Sequence, residues 1–220
     1  MCWRMRESLF ATVSYIPSFD VTATSLMLAA EAIVLLIALT PGSEELQKLV
    51  AFENAFDLVF SLIEAEGSLS HGSEVVEDCL SLLANLLRLN ASNQSHFRET
   101  GCVKKLARLL VDANQPTEDD EPVSQATLMR QDKNIWGLLV IVQLFLVKGG
   151  VGTTANQSAF WNNGIMEQVL SIAFSQRFSV KVMSKVCLNG HRTHYSADHV
   201  GTIDERRYDP WKLVPAREVW

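Results

Sequence analysis

An internal repeat constrains the fold of this chain more than any other feature of its sequence. Residues 93–110 and 156–173 share an Asn-Gln-Ser start, then a Phe, a Gly and a spaced apolar run. A weaker copy occupies residues 46–63. In each copy a short helix is predicted to end at Gly or Asn, which tolerate the left-handed backbone that stops a helix. A second helix follows with apolar residues at i, i+3, i+6 and i+7, which predicts one buried face.

A longer apolar helix is predicted before each copy, at residues 24–39, 74–89 and 127–148. A short, a second and a long helix that recur every 45 to 65 residues are typical of armadillo/HEAT repeats. Phe97 and Phe160 recur at one repeat position and are predicted to be core residues. We therefore predict an all-α fold, a partial armadillo/HEAT-like α-solenoid.

The solenoid is predicted to cover residues 23–186, with an irregular segment at residues 1–22 and a polar, disordered tail at residues 187–220. Residues 113–126 are acidic, contain two prolines and are predicted to form a disordered loop. Since solenoid helices need neighbours on both sides, the length of 220 residues is interpreted as a cut through a larger solenoid.

The net charge and the length of the apolar runs argue against nucleic-acid binding and against a membrane span. The formal net charge is −6, which disfavours the broad basic surface of a nucleic-acid-binding protein. The apolar runs at residues 26–39 and 135–147 are shorter than the ~20 residues that a membrane-spanning helix needs. We predict no nucleic-acid partner and no membrane span.

The cysteines and the glycosylation-type sequences both favour a cytosolic location. The four cysteines form no CxxC pair and no dense spacing, which is typical of reduced thiols. Asn-x-Ser sequences begin at Asn90, Asn93 and Asn156. Because no signal peptide is evident, these asparagines are predicted to lie at helix starts rather than to carry sugars.

No catalytic, cofactor-binding or metal-binding constellation is predicted. The chain has no G-x-S-x-G elbow, and the glycine-rich stretch 149–152 lacks the GK[ST] ending of a phosphate loop. The tail contains side chains of zinc-ligand type, but their spacing is not a known ligand spacing. These tail residues are Cys187, His191, His194 and His199. We predict that the protein is not an enzyme and has no cofactor.

Two long helices carry an amide side chain just before a pair of apolar residues, at Asn85 and Gln143. In armadillo proteins the long third helix lines the concave groove, so these two residues are the predicted protein-binding positions. Hydrogen bonding between neighbouring repeats is the alternative role. Ser81 and Leu139 stand one turn earlier, where importin-type proteins have Trp, so binding of nuclear signals is not expected.

Three strings, AFENAF at residues 51–56, VVEDCL at 75–80 and SNQSHFRE at 92–99, carry a family resemblance. Together they resemble the N-terminal globular head of the general vesicular transport factor family, long coiled-coil tethers of endoplasmic reticulum to Golgi traffic. The resemblance is most specific over residues 44–112 and extends over about residues 25–185.

This resemblance implies an armadillo-like head that binds a Rab-type GTPase and other vesicle-trafficking proteins. It also implies a cytoplasmic location, peripheral to Golgi and transport-vesicle membranes. The family's dimerising coiled coil has no counterpart in this chain, which carries no heptad segment. No individual residue can be assigned to a GTPase site. The alternative function is a generic armadillo/HEAT scaffold in signalling or nuclear transport.

Overall fold

A computed structural model describes residues 23–71, 73–115, 124–147 and 152–174. Regular structure in these ranges is helical, which confirms the all-α prediction. The helices are α1 Ala23–Leu39, α2 Glu44–Val50, α3 Phe56–Ala65, α4 Ser68–His71, α5 Glu74–Leu87, α6 Ala91–Glu99, α7 Cys102–Asn114, α8 Gln125–Phe145, α9 Thr153–Asn162 and α10 Ile165–Phe174.

The helices stack in the predicted repeat order. The long helices are α1, α5 and α8, and α5 packs on both of the others. The short helices α2, α6 and α9 follow the long ones, and α6 contacts both α2 and α9. The second helices also pack across repeats, since α10 lies along α7, and within its own repeat α3 lies along α5. Each repeat thus buries its apolar faces against its neighbours, as in an α-solenoid.

The short helices end where the sequence predicts a left-handed residue. Gly101 has φ 78° and Gly164 has φ 70°, each directly before the second helix of its repeat. After α2 the chain continues as a π-helical segment, Ala51–Ala55, in which Asn54 has φ 66° and breaks the helical backbone before α3. The prediction that Gly or Asn ends the short helix is confirmed at all three positions.

Two predicted boundaries need correction around the acidic loop. Helix α7 continues to Asn114, inside the range predicted as loop. Helix α8 begins at Gln125, two residues before the predicted start, because the Ser124 side chain caps it by accepting a hydrogen bond from the Thr127 N–H at 3.2 Å. The rest of the loop, at residues 116–123, lies outside the described residues, as do the predicted segments 1–22 and 187–220.

Aromatic rings form a continuous row through the core. The Phe97 ring centroid lies 5.1 Å from that of Phe56 and 5.3 Å from that of Phe145. The Phe160 ring continues the row at 5.1 Å from Phe145. Phe97 and Phe160 are both fully buried, which confirms that they are core residues. The row joins helices α3, α6, α8 and α9, so one stack of rings connects successive repeats.

Candidate protein-interaction surface

The two predicted groove residues lie on long helices but in different environments. Asn85, on α5, is half-buried, and its Nδ2 donates a hydrogen bond to the Ile37 carbonyl of α1 at 3.2 Å. Its Oδ1 accepts no hydrogen bond among the described residues. Gln143, on α8, is buried, and its Nε2 makes no hydrogen bond among the described residues. Asn85 therefore makes the hydrogen bond between neighbouring repeats that was the alternative role. Protein binding by Asn85 or Gln143 stays a prediction.

The positions one turn before the two amides are closed to solvent. Leu139 is fully buried, and Ser81 is buried with its hydroxyl donating to the Glu77 carbonyl at 2.9 Å. Neither presents the exposed flat ring that an importin-type groove uses. Any partner contact at Asn85 therefore depends on the amide itself and not on an exposed aromatic side chain one turn before it.

A second set of amides, which we call the amide ladder, consists of Gln47, Asn90, Gln94 and Asn156. All four side chains are buried. In its first step, the Gln47 Nε2 donates to the Thr40 carbonyl at 3.1 Å, and the Asn90 Nδ2 donates to the Gln47 Oε1 at 3.1 Å. This step connects the first two short helices, α2 and α6.

The second step of the ladder connects α6 to α9 in the same way. The Gln94 Nε2 donates to the Leu87 carbonyl at 3.0 Å. The Asn156 Nδ2 donates to the Gln94 Oε1 at 2.9 Å and to the Phe145 carbonyl at 3.0 Å. The Asn156 Oδ1 accepts a hydrogen bond from the Arg98 guanidinium. Buried amides with satisfied partners fix one arrangement of their neighbours, so the ladder sets the register between repeats.

The sequence repeat includes two of the ladder residues but does not indicate their role. Gln94 and Asn156 belong to the Asn-Gln pairs at 93–94 and 156–157, which recur at the same position of the repeat. Asn90 caps α6, with its Oδ1 accepting from the Asn93 N–H at 3.0 Å, as predicted for a helix start. Asn90, Asn93 and Asn156 are each at most 1% exposed, so none is open to a glycosylating enzyme in the folded chain.

Two ion pairs add polar links across the stack. The Lys105 Nζ of α7 lies 2.5 Å from the Asp57 Oδ1 of α3. The Lys133 Nζ of α8 lies 3.6 Å from the Glu77 Oε1 of α5, and the Glu77 carboxylate is largely buried. Each pair joins one repeat to the next, so these charged side chains contribute to the packing of the stack.

The described residues contain no group of three His, Cys, Asp or Glu side chains that could hold a metal ion. The candidate ligands Cys187, His191, His194 and His199 lie outside the described residues. Among the described helices, none is both long and apolar enough to cross a membrane.

The two described cysteines, Cys79 and Cys102, are buried, and their surroundings favour the unreactive thiol over the thiolate. Burial, with smaller contributions from Asp78 and Glu66, raises the pKa of the Cys79 thiol to about 12. Burial also raises the pKa of Cys102, although the Thr100 hydroxyl opposes it. Since the thiolate is the reactive form, these two residues act as small core side chains.

This environment predicts slow thiol labelling. At pH 8 the Cys79 peptide should react with iodoacetamide at least about a hundredfold more slowly in the folded chain than in urea, since the raised pKa lowers the thiolate fraction. Peptide mass spectrometry would measure the rate at this cysteine, with the Cys102 peptide as an internal comparison. Equal rates for Cys79 in the folded and unfolded chain would contradict the buried placement.

The exposed surface carries several large apolar side chains. The Phe52 ring is 57% exposed and stacks on His96 at a centroid distance of 4.4 Å. Trp161, near the end of α9, is 76% exposed. Helix α1 has a further row of exposed apolar residues. Exposed aromatic side chains are the kind that dominate binding energy at protein interfaces, so Phe52 and Trp161 offer contact surface.

This architecture defines the chain as an armadillo-like helical domain. No family model matches the chain. It is 40% identical over 188 residues to the intracellular protein transport protein USO1 of Saccharomyces cerevisiae, a match that covers 82% of this chain and 10% of that protein. It is 34% identical to the general vesicular transport factor p115 of Rattus norvegicus, over 67% of this chain and 15% of the relative.

Solved structures agree with these relatives. A crystal structure of Uso1 (Uso1-2) superposes with a TM-score of 0.71 and 35% sequence identity, covering 84% of this chain and 26% of that one. A second Uso1 structure (Uso1-1) gives a TM-score of 0.70 and 37% identity. The chain belongs to the Uso1/p115 family of vesicular transport factors. It spans about a tenth of the length of the yeast relative.

Proposed function

We propose that this chain is a non-enzymatic protein-interaction module of a vesicle-tethering factor in endoplasmic reticulum to Golgi and intra-Golgi traffic. It works in the cytoplasm, peripherally on Golgi and transport-vesicle membranes. The observation that carries the proposal is similarity to Uso1 and p115 along most of this chain, at 40% and 34% identity. Both relatives are named as transport factors, which favours a function in protein recognition over catalysis.

The partners we propose are a Rab-type GTPase and other vesicle-trafficking proteins, which the stacked helices recognise. Asn85 is the amide best placed for such a contact, because it is half-buried on a long helix and its Oδ1 accepts no hydrogen bond among the described residues. An amide that is fixed on one side by the Ile37 carbonyl loses little further freedom when a partner's N–H binds its oxygen. Gln143 is the second proposed contact, on the next repeat.

A pull-down of the full chain with Golgi Rab GTPases in their GTP and GDP forms tests the partner class. We expect binding to at least one Rab-type GTPase, stronger in the GTP form. Circular dichroism would first establish that the sample is folded. Binding to none of the GTPases by a well-folded sample would overturn the proposed partner.

The Asn85→Ala variant tests the contact residue. It should weaken binding about 5- to 10-fold, the effect of losing one hydrogen bond at an interface. Asn162→Ala is the matched control, since Asn162 is an exposed amide at the end of α9. Because Asn85→Ala also removes the bond to Ile37, urea unfolding of each variant must show that the folded fraction is unchanged under the binding conditions. Equal affinities for the two variants would exclude Asn85 from the interface.

A further inference from the structure

Two aromatic rings meet at the surface where the first two short helices lie side by side. The Phe52 ring, directly after α2, stacks on the His96 ring of α6 at a centroid distance of 4.4 Å and an interplanar angle of 30°. The buried Phe56 ring supports the pair from below, 6.0 Å from His96. More than half of the Phe52 side chain, 57%, stays exposed. One aromatic face is therefore held in place and open to a partner.

Exposed carboxylates border this ring pair. Glu99 lies one helical turn after His96 on α6. Glu45 lies two turns before Phe52 on the same side of α2, about 10 Å away along the helix axis. We call Phe52, His96, Glu45 and Glu99 the acidic aromatic patch. Because α2 and α6 pack on each other, these four side chains belong to one continuous surface.

The cations of the two helices are engaged by the protein itself. The Lys48 Nζ, one turn before the exposed ring, is paired with the Glu44 Oε1 at 2.6 Å. The Arg98 guanidinium donates to the Asn156 Oδ1 of α9, and it also donates to the Ser95 hydroxyl at 2.8 Å. The patch therefore offers a partner two carboxylates beside an exposed aromatic face.

We propose that the acidic aromatic patch binds an arginine side chain from a basic segment of a partner protein. A guanidinium is attracted to the face of an aromatic ring, and its planar N–H groups also pair with a carboxylate. One guanidinium that stacks on Phe52 is placed to pair with Glu99, and a second cation of the segment pairs with Glu45. This assignment rests on the proposed function, since it gives the chemistry of a partner that protein recognition requires.

Charge distinguishes this partner from a membrane surface and from a second copy of the chain. Anionic lipid headgroups attract basic protein surfaces, whereas Glu45 and Glu99 make this surface acidic. A two-fold contact between two such patches would bring carboxylates against carboxylates, because the same surface of each copy takes part. A basic protein segment neutralises both carboxylates and covers the exposed ring.

Fluorescence polarisation of the full chain with a labelled peptide of four Gly-Ser-Arg repeats tests this chemistry. Lysine and citrulline forms of the peptide are the ligand controls, since lysine keeps the charge without the planar guanidinium, and citrulline keeps the shape without the charge. We expect affinity to fall at least about threefold for the lysine peptide and at least about tenfold for the citrulline peptide. No binding of the arginine peptide, or equal binding of the lysine or citrulline form, would overturn the proposal.

Substitutions in the chain test whether the peptide binds at the patch. Phe52→Leu keeps an apolar side chain but removes the ring, and it should weaken binding of the arginine peptide about threefold or more. Glu99→Gln removes one carboxylate and should also weaken binding about threefold. Trp161→Leu is the matched control, because Trp161 is 76% exposed on Thr153–Asn162, a helix without charged residues. Equal weakening by the substitutions at residues 52 and 161 would overturn the patch as the site.

The peptide titration contains no GTPase, so the two hypotheses fail separately. If a Rab-type GTPase binds the chain and the arginine peptide does not, only the patch is overturned. If the peptide binds at the patch and no GTPase binds the chain, only the GTPase partner is overturned. Sedimentation tests the other occupants. Self-association, or binding to vesicles of phosphatidylcholine and phosphatidylserine, that Phe52→Leu abolishes would assign the patch to a second copy or to a membrane and overturn the proposal.

Discussion

Replacing Phe97 with alanine is expected to lower the free energy of unfolding by about 3–5 kcal/mol, the range for truncation of a buried aromatic side chain. The ring is fully buried. Its centroid lies 5.1 Å from that of Phe56, 5.3 Å from that of Phe145 and 6.0 Å from that of Phe60. The substitution would leave a cavity where rings of α3, α6 and α8 meet. Urea unfolding followed by circular dichroism would measure the change.

Phe52→Ala is the control for this substitution. The Phe52 ring is mostly exposed, and its described ring contact is the stack on His96 at 4.4 Å. Loss of one such pair should cost about 1 kcal/mol. If Phe97→Ala does not fold, Phe97→Leu gives a smaller cavity and keeps the comparison possible. Equal losses for substitutions at residues 52 and 97 would contradict the placement of Phe97 in the core row.

The size of the expected effect follows from the repeat architecture. A solenoid is stabilised by each repeat and by its interface with the next. Phe97 belongs to the short helix of one repeat, and its ring contacts Phe56 on the second helix of the repeat before and Phe145 on the long helix of its own repeat. Its removal therefore weakens an interface between repeats and the packing within one repeat together.

The helix order was predictable because it depends on local periodicity. Apolar spacing identified the long and second helices, and Gly101 and Gly164, which have positive φ angles in the structure, marked the ends of two short helices. Repetition of Phe97 and Phe160 at one repeat position identified core residues that are fully buried in the structure. In each case the signal lies within a few residues of the feature, so one sequence is enough to read it.

The contacts between repeats were not predictable in the same way. The bond from the Asn85 Nδ2 to the Ile37 carbonyl joins residues 48 positions apart, and the pairing of Asn156 with Gln94 spans 62 positions. Sequence spacing does not say which side of a helix meets its neighbour or how far that neighbour is shifted. The short helix α4, at Ser68–His71, was missed because a four-residue helix has no periodic signal.

For the same reason, the sequence predicted which helices carry the candidate site but not the surroundings of its residues. Asn85 and Gln143 were selected by an identical local pattern, yet the first is half-buried with a hydrogen bond and the second is buried with an unpaired Nε2. Their difference arises from neighbouring elements rather than from their own sequence. Similarity to Uso1 and p115 supplies the functional class that the geometry of an interaction surface alone does not specify.

The second large effect is expected at the amide ladder, where Asn156→Leu should lower the free energy of unfolding by about 2–5 kcal/mol. Leucine is only moderately larger than asparagine, so the loss would come from hydrogen bonds and not from a cavity. The Asn156 side chain is 1% exposed and contacts the Gln94 Oε1, the Phe145 carbonyl and the Arg98 guanidinium. Each buried partner left without a hydrogen bond costs about 1–3 kcal/mol. Urea unfolding followed by circular dichroism would measure the loss.

Two further variants separate the loss of the donated hydrogen bonds from a change in side-chain volume at residue 156. Asn156→Asp keeps the size of the side chain and an oxygen for Arg98, but it loses the two N–H donors to Gln94 and Phe145. It should therefore destabilise the chain, whereas Asn162→Leu, at an exposed position on the same helix, should change stability by less than about 0.5 kcal/mol. If substitution at residue 156 were as neutral as at residue 162, the ladder would not hold the repeats in register. Destabilisation by both residue 156 variants would show that the donated hydrogen bonds, and not the volume at that position, connect α6 to α9.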